Sequence, residues 1–234
     1  MGAGVGRRFV LFRRMLSRER MIIKSFEGPA APAPAPPSAA SCSVLSMVTR
    51  GAVLVGSVVS VGFGCALLYL GAVNLGDNFH PVVQGELYRS AQPTPERIAF
   101  YQKVQGIKTI INLRGSNAGS PWYDDEVAEA RRLGIAHVDF RMSARRELTE
   151  QQFNDLITLL RTVEKPVLVH CTAGADRSGL VAALYLAAIA KRGEAEAESQ
   201  ISLWYGHIPF WFSAPYAMDR TFEAFEPALG FPNS

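Results

Sequence analysis

An α/β fold is what this sequence predicts: a central, mostly parallel sheet flanked by helices, preceded by one N-terminal transmembrane helix. Three observations carry that expectation. Strand-like and helix-like segments alternate from Leu87 onward, the pattern of a layered fold whose strands run parallel because each return path is a helix. The short apolar run Pro166–Val169 leads into a polar, glycine-containing loop and then into the long apolar run Leu180–Ala190, which reads as strand, loop and buried helix. Gly51–Val73 holds twenty-three residues without a charge. At 1.5 Å per residue that is about 34 Å of helix, enough for a bilayer core of about 30 Å.

The elements follow in order. Residues 1–50 carry eight Lys or Arg against two acidic residues, and 28–41 form a Pro/Ala tract that cannot pack a core. This basic segment is expected to be a disordered tail. The alternative is that translation starts at Met47, directly ahead of the apolar run. Residues 51–73 are the signal-anchor. Leu70-Gly71-Ala72 offers a mediocre cleavage site, and Phe63 spoils the lipobox Gly62-Phe63-Gly64-Cys65. So long a run favours an uncleaved anchor. Basic residues precede it and the first one after it is Arg89, so the positive-inside rule puts the N-terminus in the cytoplasm and residues 74–234 on the far side.

In that folded domain Asn74–Gly85 is a connector and Leu87–Ser90 a short strand. Thr94-Pro95-Glu96 combines an N-cap with Pro at the first helical position, and Gly106 ends that helix. Lys108–Leu113 suits a strand covered on both faces. Arg114–Pro121 is a loop, Tyr123–Leu133 a helix, Ala136–Phe140 a strand, and Thr149 opens a helix. Pro166–Val169 is the central strand. Glu194–Tyr205 and Ala214–Phe225 are expected to be helical. The aromatics Trp204, Tyr205, Phe210, Trp211, Phe212 and Tyr216 are expected to pack the C-terminal helices. His137 and His207 are expected to be hydrogen-bonded structural residues.

Net charge is +3 overall, but residues 74–234 are slightly acidic, which argues against nucleic acid as a partner. Of three cysteines, Cys42 lies in the tail, Cys65 in the apolar run and Cys171 alone in the domain. No disulfide framework and no metal-ligand spacing is present.

The most informative stretch is His170-Cys171-Thr172-Ala173-Gly174-Ala175-Asp176-Arg177-Ser178-Gly179. A cysteine, five residues and an arginine between a strand and a helix can wrap one phosphate. The amides of Thr172, Ala173, Gly174, Ala175, Asp176 and Arg177 would line a cavity at the positive end of the helix dipole. Arg177 would close it with a planar fork matched to two phosphate oxygens. Gly174 and Gly179 allow the tight turn.

This loop resembles the signature loop of cysteine-dependent tyrosine and dual-specificity phosphatases. Gly85–Pro93 and Gly106–Arg114 resemble the opening of a bacterial subfamily that includes periplasmic tyrosine phosphatases, and the likeness covers roughly 79–226. The resemblance implies a phosphatase-like fold and a hydrolase of phosphorylated proteins needing no metal or organic cofactor. In it Cys171 is the nucleophile, Arg177 the phosphate clamp, Ser178 the hydroxyl that eases thiolate departure, and His170 the loop-orienting residue. The general acid is where the chain departs from that family. The loop Arg141–Glu147, where the family keeps an aspartate, has none. Asp176 inside the phosphate loop, Asp139 just before the departing loop and Glu147 at its end are the candidates. Phosphotyrosine is the expected substrate, with phosphoserine and phosphothreonine besides; a lipid phosphatase or a phosphate-binding pseudophosphatase is the alternative. Substrate identity and oligomeric state stay open.

Overall fold

The computed structural model describes residues 39–75 and 77–231; the basic tail through residue 38 lies outside the described residues. Two compact units divide between Val53 and Leu54, inside the first helix. Helix α1 (Ala39–Leu75) begins well before Gly51. Its segment Thr49–Tyr69 is long and apolar enough to cross a membrane, and the large apolar side chains from Val53 to Leu68 are exposed.

The unit from Leu54 onward contains a five-stranded sheet in the order β1-β2-β5-β3-β4. Its strands are β1 (His80–Val83), β2 (Leu87–Ser90), β3 (Thr109–Asn112), β4 (Ala136–Asp139) and β5 (Val167–His170). Neighbours from β2 to β4 pair in parallel. The edge strand β1 instead pairs antiparallel with β2, where a plain connector was expected. Pro81 and a register shift between Pro81 and Val83 hide its alternation, and an edge position tolerates the missing proline donor. Strands β2, β3 and β5 are buried at every position, which is why none shows a period of two; their last residues Ser90, Asn112 and His170, with Arg89, are buried polar groups.

Helix α2 (Pro95–Gln105) starts at the Thr94 cap, whose side chain accepts from the Arg97 amide, and ends at Gly106. Helix α3 spans Pro121–Leu133. Helix α4 (Glu150–Thr162) opens on a capping box in which Thr149 and Gln152 satisfy each other's backbone amides. Helix α5 (Asp176–Ala188) is buried at every residue from Ser178 to Ala188; with β5 it forms the middle of the larger core. Helix α7 covers Ala217–Leu229, after a 3₁₀ turn at Ala214–Tyr216.

Two expectations are corrected here. Glu194–Tyr205 is not one helix: α6 (Glu194–Glu198) stops after five residues and a 3₁₀ turn follows at Leu203–Tyr205. The Gln200 carbonyl accepts from buried Arg89 at 2.7 Å, a tertiary bond that takes this segment's backbone away from helical pairing. Most of the late aromatics do not fill the core either: Trp204, Phe210, Trp211 and Phe212 are exposed, and Tyr205 and Tyr216 are half-buried.

Register aligns the carboxyl ends of the strands. Ser90 and Asn112 both stand opposite His170, and Asp139 stands opposite Asn112. Chain leaving β2, β3, β4 and β5 therefore emerges along one edge, where a parallel α/β sheet binds ligands.

Candidate active site

Cys171 follows β5 directly and is 3 % exposed. Its Sγ lies 3.6 Å from Ser178 Oγ, in the first turn of α5. Between them the loop is shaped by its carbonyls. Thr172 O accepts from the Gln92 amide at 3.2 Å, and Ala173 O from Asn78 Nδ2 at 2.9 Å. Gly174 O and Ala175 O both accept from Arg89 Nη2 at 2.9 Å. In a trans peptide the following N–H points opposite to the carbonyl. With four carbonyls turned into the protein, the amides of Ala173, Gly174, Ala175 and Asp176 face the other way, into the concavity. Gly174 makes this possible: its φ is +70°, and a Cβ there would come within 2.6 Å of the Ser90–Ala91 backbone.

Arg89 is fully buried on β2. Burial lowers its pKa to about 10, so it stays a cation at neutral pH beneath the loop. His170 is likewise buried, and its Nε2 meets Glu126 Oε1 at 2.8 Å. Glu126 projects from α3, fully buried, and the same oxygen meets His137 Nε2 at 2.8 Å. Burial alone would raise the Glu126 carboxyl; the hydrogen bonds from His137 and His170 outweigh it and bring the pKa down to about 2. Gln92 Nε2 donates to the second Glu126 oxygen, and Gln92 Oε1 accepts from Arg114 Nη1 at 2.8 Å.

Arg177 donates to Leu113 O at 3.3 Å and to Thr172 Oγ1 at 3.1 Å, while its Nε is buried with no hydrogen-bond partner. Arg114 stacks on Trp122, its guanidinium 3.3 Å from the ring centroid. Burial and the charge of nearby Arg177 lower its pKa. These two arginines open onto a cavity of about 550 Å³ that is also lined by Arg141, Ser143, Arg146 and Glu147.

The three candidate acids fall in different places. Asp176 Oδ1 accepts from His207 Nδ1 at 2.8 Å, and His207 Nε2 reaches Asp219 Oδ2 at 2.9 Å. His207 is fully buried. Burial opposes its charge, but the bonds to Asp176 and Asp219 prevail and lift its pKa to about 9. Asp139 ends β4, accepting from Asn112 Nδ2 at 2.8 Å and from Tyr123 OH. Glu147 pairs with Arg220 and borders the cavity.

Sequence reasoning did not single out Arg89, Arg114 or Glu126 for these positions; His137 and His207 are hydrogen-bonded as expected, but the partnership of His207 with Asp176 was not foreseen. Arg89 and Arg114 stood within the two stretches that carried the resemblance. Glu126 gave only the weak signal of an acidic residue mid-helix. Away from the loop, the carboxylates of Glu194, Glu198 and Glu226 gather within 4.8 Å of one another, and exposed acidic clusters are common without a cation.

An inward-facing ring of amides around a cysteine, closed by an arginine at a helix N-terminus, defines the class of cysteine-dependent tyrosine and dual-specificity phosphatases. Comparison with known proteins narrows this. The family described as "DSP-PTPase phosphatase fused to NAD+ Kinase" matches residues 73–206, more than half of the chain, and the chain belongs to that family. Similar curated proteins are the tyrosine-protein phosphatase-like protein OCA2 of Saccharomyces cerevisiae and the dual specificity protein phosphatase TpbA of Pseudomonas aeruginosa. OCA2 is 32 % identical over 44 % of this chain and 53 % of its own length; TpbA is 31 % identical over 42 % of each. The chain spans about half the length of the curated relatives it matches. Among solved structures, that of P. aeruginosa TpbA has a TM-score of 0.51 at 22 % identity, over 65 % of this chain and 90 % of the other. The catalytic core of the PP-IP phosphatase SIW14 from S. cerevisiae has a TM-score of 0.50 at 17 % identity, over 66 % and 93 %. Both share the fold.

Proposed function

We propose that this chain is a membrane-anchored phosphatase whose catalytic unit faces the periplasm and hydrolyses phosphotyrosine in proteins, with phosphoserine and phosphothreonine as further substrates. The observation that carries the reading is the phosphate loop itself, its carbonyls tied back by Arg89, Asn78 and Gln92 around Cys171. Cys171 Sγ attacks phosphorus in line; an S–P bond forms as the bond to the leaving oxygen breaks. The loop amides and Arg177 hold the equatorial oxygens through both displacements, the largest share of catalysis in sites of this kind. Water then attacks the phosphocysteine, and Ser178 Oγ hydrogen-bonds the departing sulfur. His170, held by Glu126, orients the loop from beneath.

For the leaving-group proton the geometry supports Glu147 most. All three candidates have partners, Glu147 in a half-exposed ion pair with Arg220, Asp176 with His207 and Asp139 with Asn112 and Tyr123. What favours Glu147 is that it alone of the three borders the cavity that Arg177 lines. In this reading Asp176 ties the phosphate loop to His207. General acid catalysis contributes roughly 10²–10⁴-fold, and most for a poor leaving group. Glu147→Gln is expected to slow phosphotyrosine hydrolysis far more than that of a highly activated aryl phosphate. Equal slowing of both returns the role to Asp176 or Asp139, tested by the same comparison on Asp176→Asn and Asp139→Asn.

The mechanism is checked with an aryl phosphate in the presence of a chelator. Cys171→Ser and Arg177→Lys are each expected to abolish turnover, and full activity in Cys171→Ser overturns it. Alkaline phosphatase fused after residue 80 reports the topology: it is active only if that point lies outside the cytoplasm.

A second reading rests on the cavity wall. Arg114, Arg141, Arg146 and Arg177 together suit a substrate with more than one anionic group, such as a phosphorylated inositol or a phosphoinositide headgroup. The phosphate loop itself lacks lysines, but the positive charge comes from neighbouring loops. Arg146→Ser raises KM for such a substrate and leaves that for a phosphotyrosyl peptide in place.

A further inference from the structure

We infer that the segment Leu203–Phe212 docks on the surface of the lipid bilayer, resting on the reading above that α1 spans that bilayer. Five large apolar side chains in ten residues point into solvent: Leu203 is 51 % exposed, Trp204 67 %, Phe210 52 %, Trp211 79 % and Phe212 71 %. A soluble domain rarely leaves so many large apolar side chains uncovered within ten residues. Phe210 and Phe212 stack at 5.4 Å, with Trp211 edge-on to Phe212 at 5.6 Å. No Asp, Glu, Lys or Arg lies between Leu203 and Tyr216, and the histidine there, His207, is fully buried between Asp176 and Asp219, so the segment exposes no charge to a headgroup layer.

What identifies the occupant is where the patch joins the rest of the unit. Tyr69 is the last residue of the apolar span Thr49–Tyr69. Its hydroxyl donates to Trp204 O at 2.6 Å, and the two rings are 6.2 Å apart. Both residues belong to the same compact unit. The aromatic patch is thus continuous with the point where the helix leaves the hydrocarbon, the level at which Trp and Tyr collect in membrane proteins. The same segment carries His207, which bonds Asp176 in the phosphate loop. Docking therefore ties the site to the membrane surface at a second point besides the helix.

The chain has three tryptophans: Trp204 and Trp211 in the patch and Trp122 beside Arg114, with none in the span. Tryptophan quenching by lipid therefore reports the patch and not the anchor. The full-length chain is placed in phosphatidylethanolamine/phosphatidylglycerol nanodiscs with brominated or plain acyl chains. In Trp122→Phe, emission is expected to fall at least twofold with brominated lipid. In Trp204→Phe/Trp211→Phe, where Trp122 alone emits, it is expected to change little. Equal emission from Trp122→Phe in both discs overturns the proposal. So does a two-chain assembly that Trp211→Ser separates, since a second copy then covers the patch. The anchor is read separately by carbonate extraction of membranes. A chain that resists carbonate but shows no quenching loses the docking and keeps the anchor. A chain that carbonate strips loses the anchor, and brominated vesicles added to the free chain then decide the docking. Trp211→Ser/Phe212→Ser keeps wild-type turnover of a soluble aryl phosphate, a control that the fold is intact.

Discussion

Residues 51–73 of helix α1 and 178–188 of α5 carry no charge on any face, yet they occupy opposite environments. In α5 each residue from Ser178 to Ala188 is buried, packed beneath the sheet and against α4, α6 and α7. In α1 the large side chains between Val53 and Leu68 are exposed among the described residues. A helix without a polar face needs an apolar surround on all sides. For α5 the protein supplies it. For α1 the described residues do not supply it, and a bilayer, as proposed above, is a surround that its length fits.

The contrast can be broken by moving a charge. In α5, Leu184→Asp puts an unpaired carboxylate where the wild-type side chain is fully buried. A loss above about 4 kcal/mol is expected for such a change, read as absence of a cooperative melt and of turnover. The matching change in α1, Val58→Arg, leaves the fold of the catalytic unit and its turnover of a soluble aryl phosphate unchanged. It raises the cost of membrane insertion by about 2.5–3.5 kcal/mol, read as chain released by carbonate. Loss of turnover in Val58→Arg ends the distinction between the two helices.

A smaller test sits at the polar end of α5, where Asp176 meets His207. The folded pKa of His207 is raised from 6.5 to about 9. The stability it contributes is therefore complete below pH 6.5 and lost as pH rises through about 9. Thermal melts of wild type and His207→Gln are expected to differ by several degrees at pH 6, in line with a ΔΔG of roughly 1 kcal/mol, and to converge above pH 9. A gap that stays constant with pH removes the charge from the account.

Much of this was legible in the sequence because it is local. The spacing from Cys171 to Arg177 encodes the phosphate loop within seven residues, and Thr94-Pro95 and Thr149 mark helix starts that stand where they were expected. What was not legible is non-local. Arg89 is 85 positions from the Gly174 carbonyl it holds, and Glu126 is 44 from His170; no pattern along the chain joins such partners. The late aromatics misled for a related reason. Trp, Phe and Tyr have the composition of a core wherever they occur, and only the placement of their neighbours tells an inner surface from an outer one. Strand β1 was missed because Pro81 breaks the alternation by which strands are recognised.

The loop carbonyls are held by groups that come from everywhere but the loop: Arg89 from β2, Asn78 from the approach to β1, and the Gln92 amide from the turn before α2. Arg89 is itself fixed by the Gln200 carbonyl beyond α6. Anion binding in this protein is thus a property of the assembled sheet and its flanks, with no smaller piece able to retain it. Heat or denaturant that loosens any one of these elements frees a carbonyl to turn, and the amide beyond it then swings out of the phosphate-facing ring. On the proposed function, turnover and unfolding of the catalytic unit are expected to fall together, so the rate of aryl phosphate hydrolysis is expected to report how much of that unit is folded.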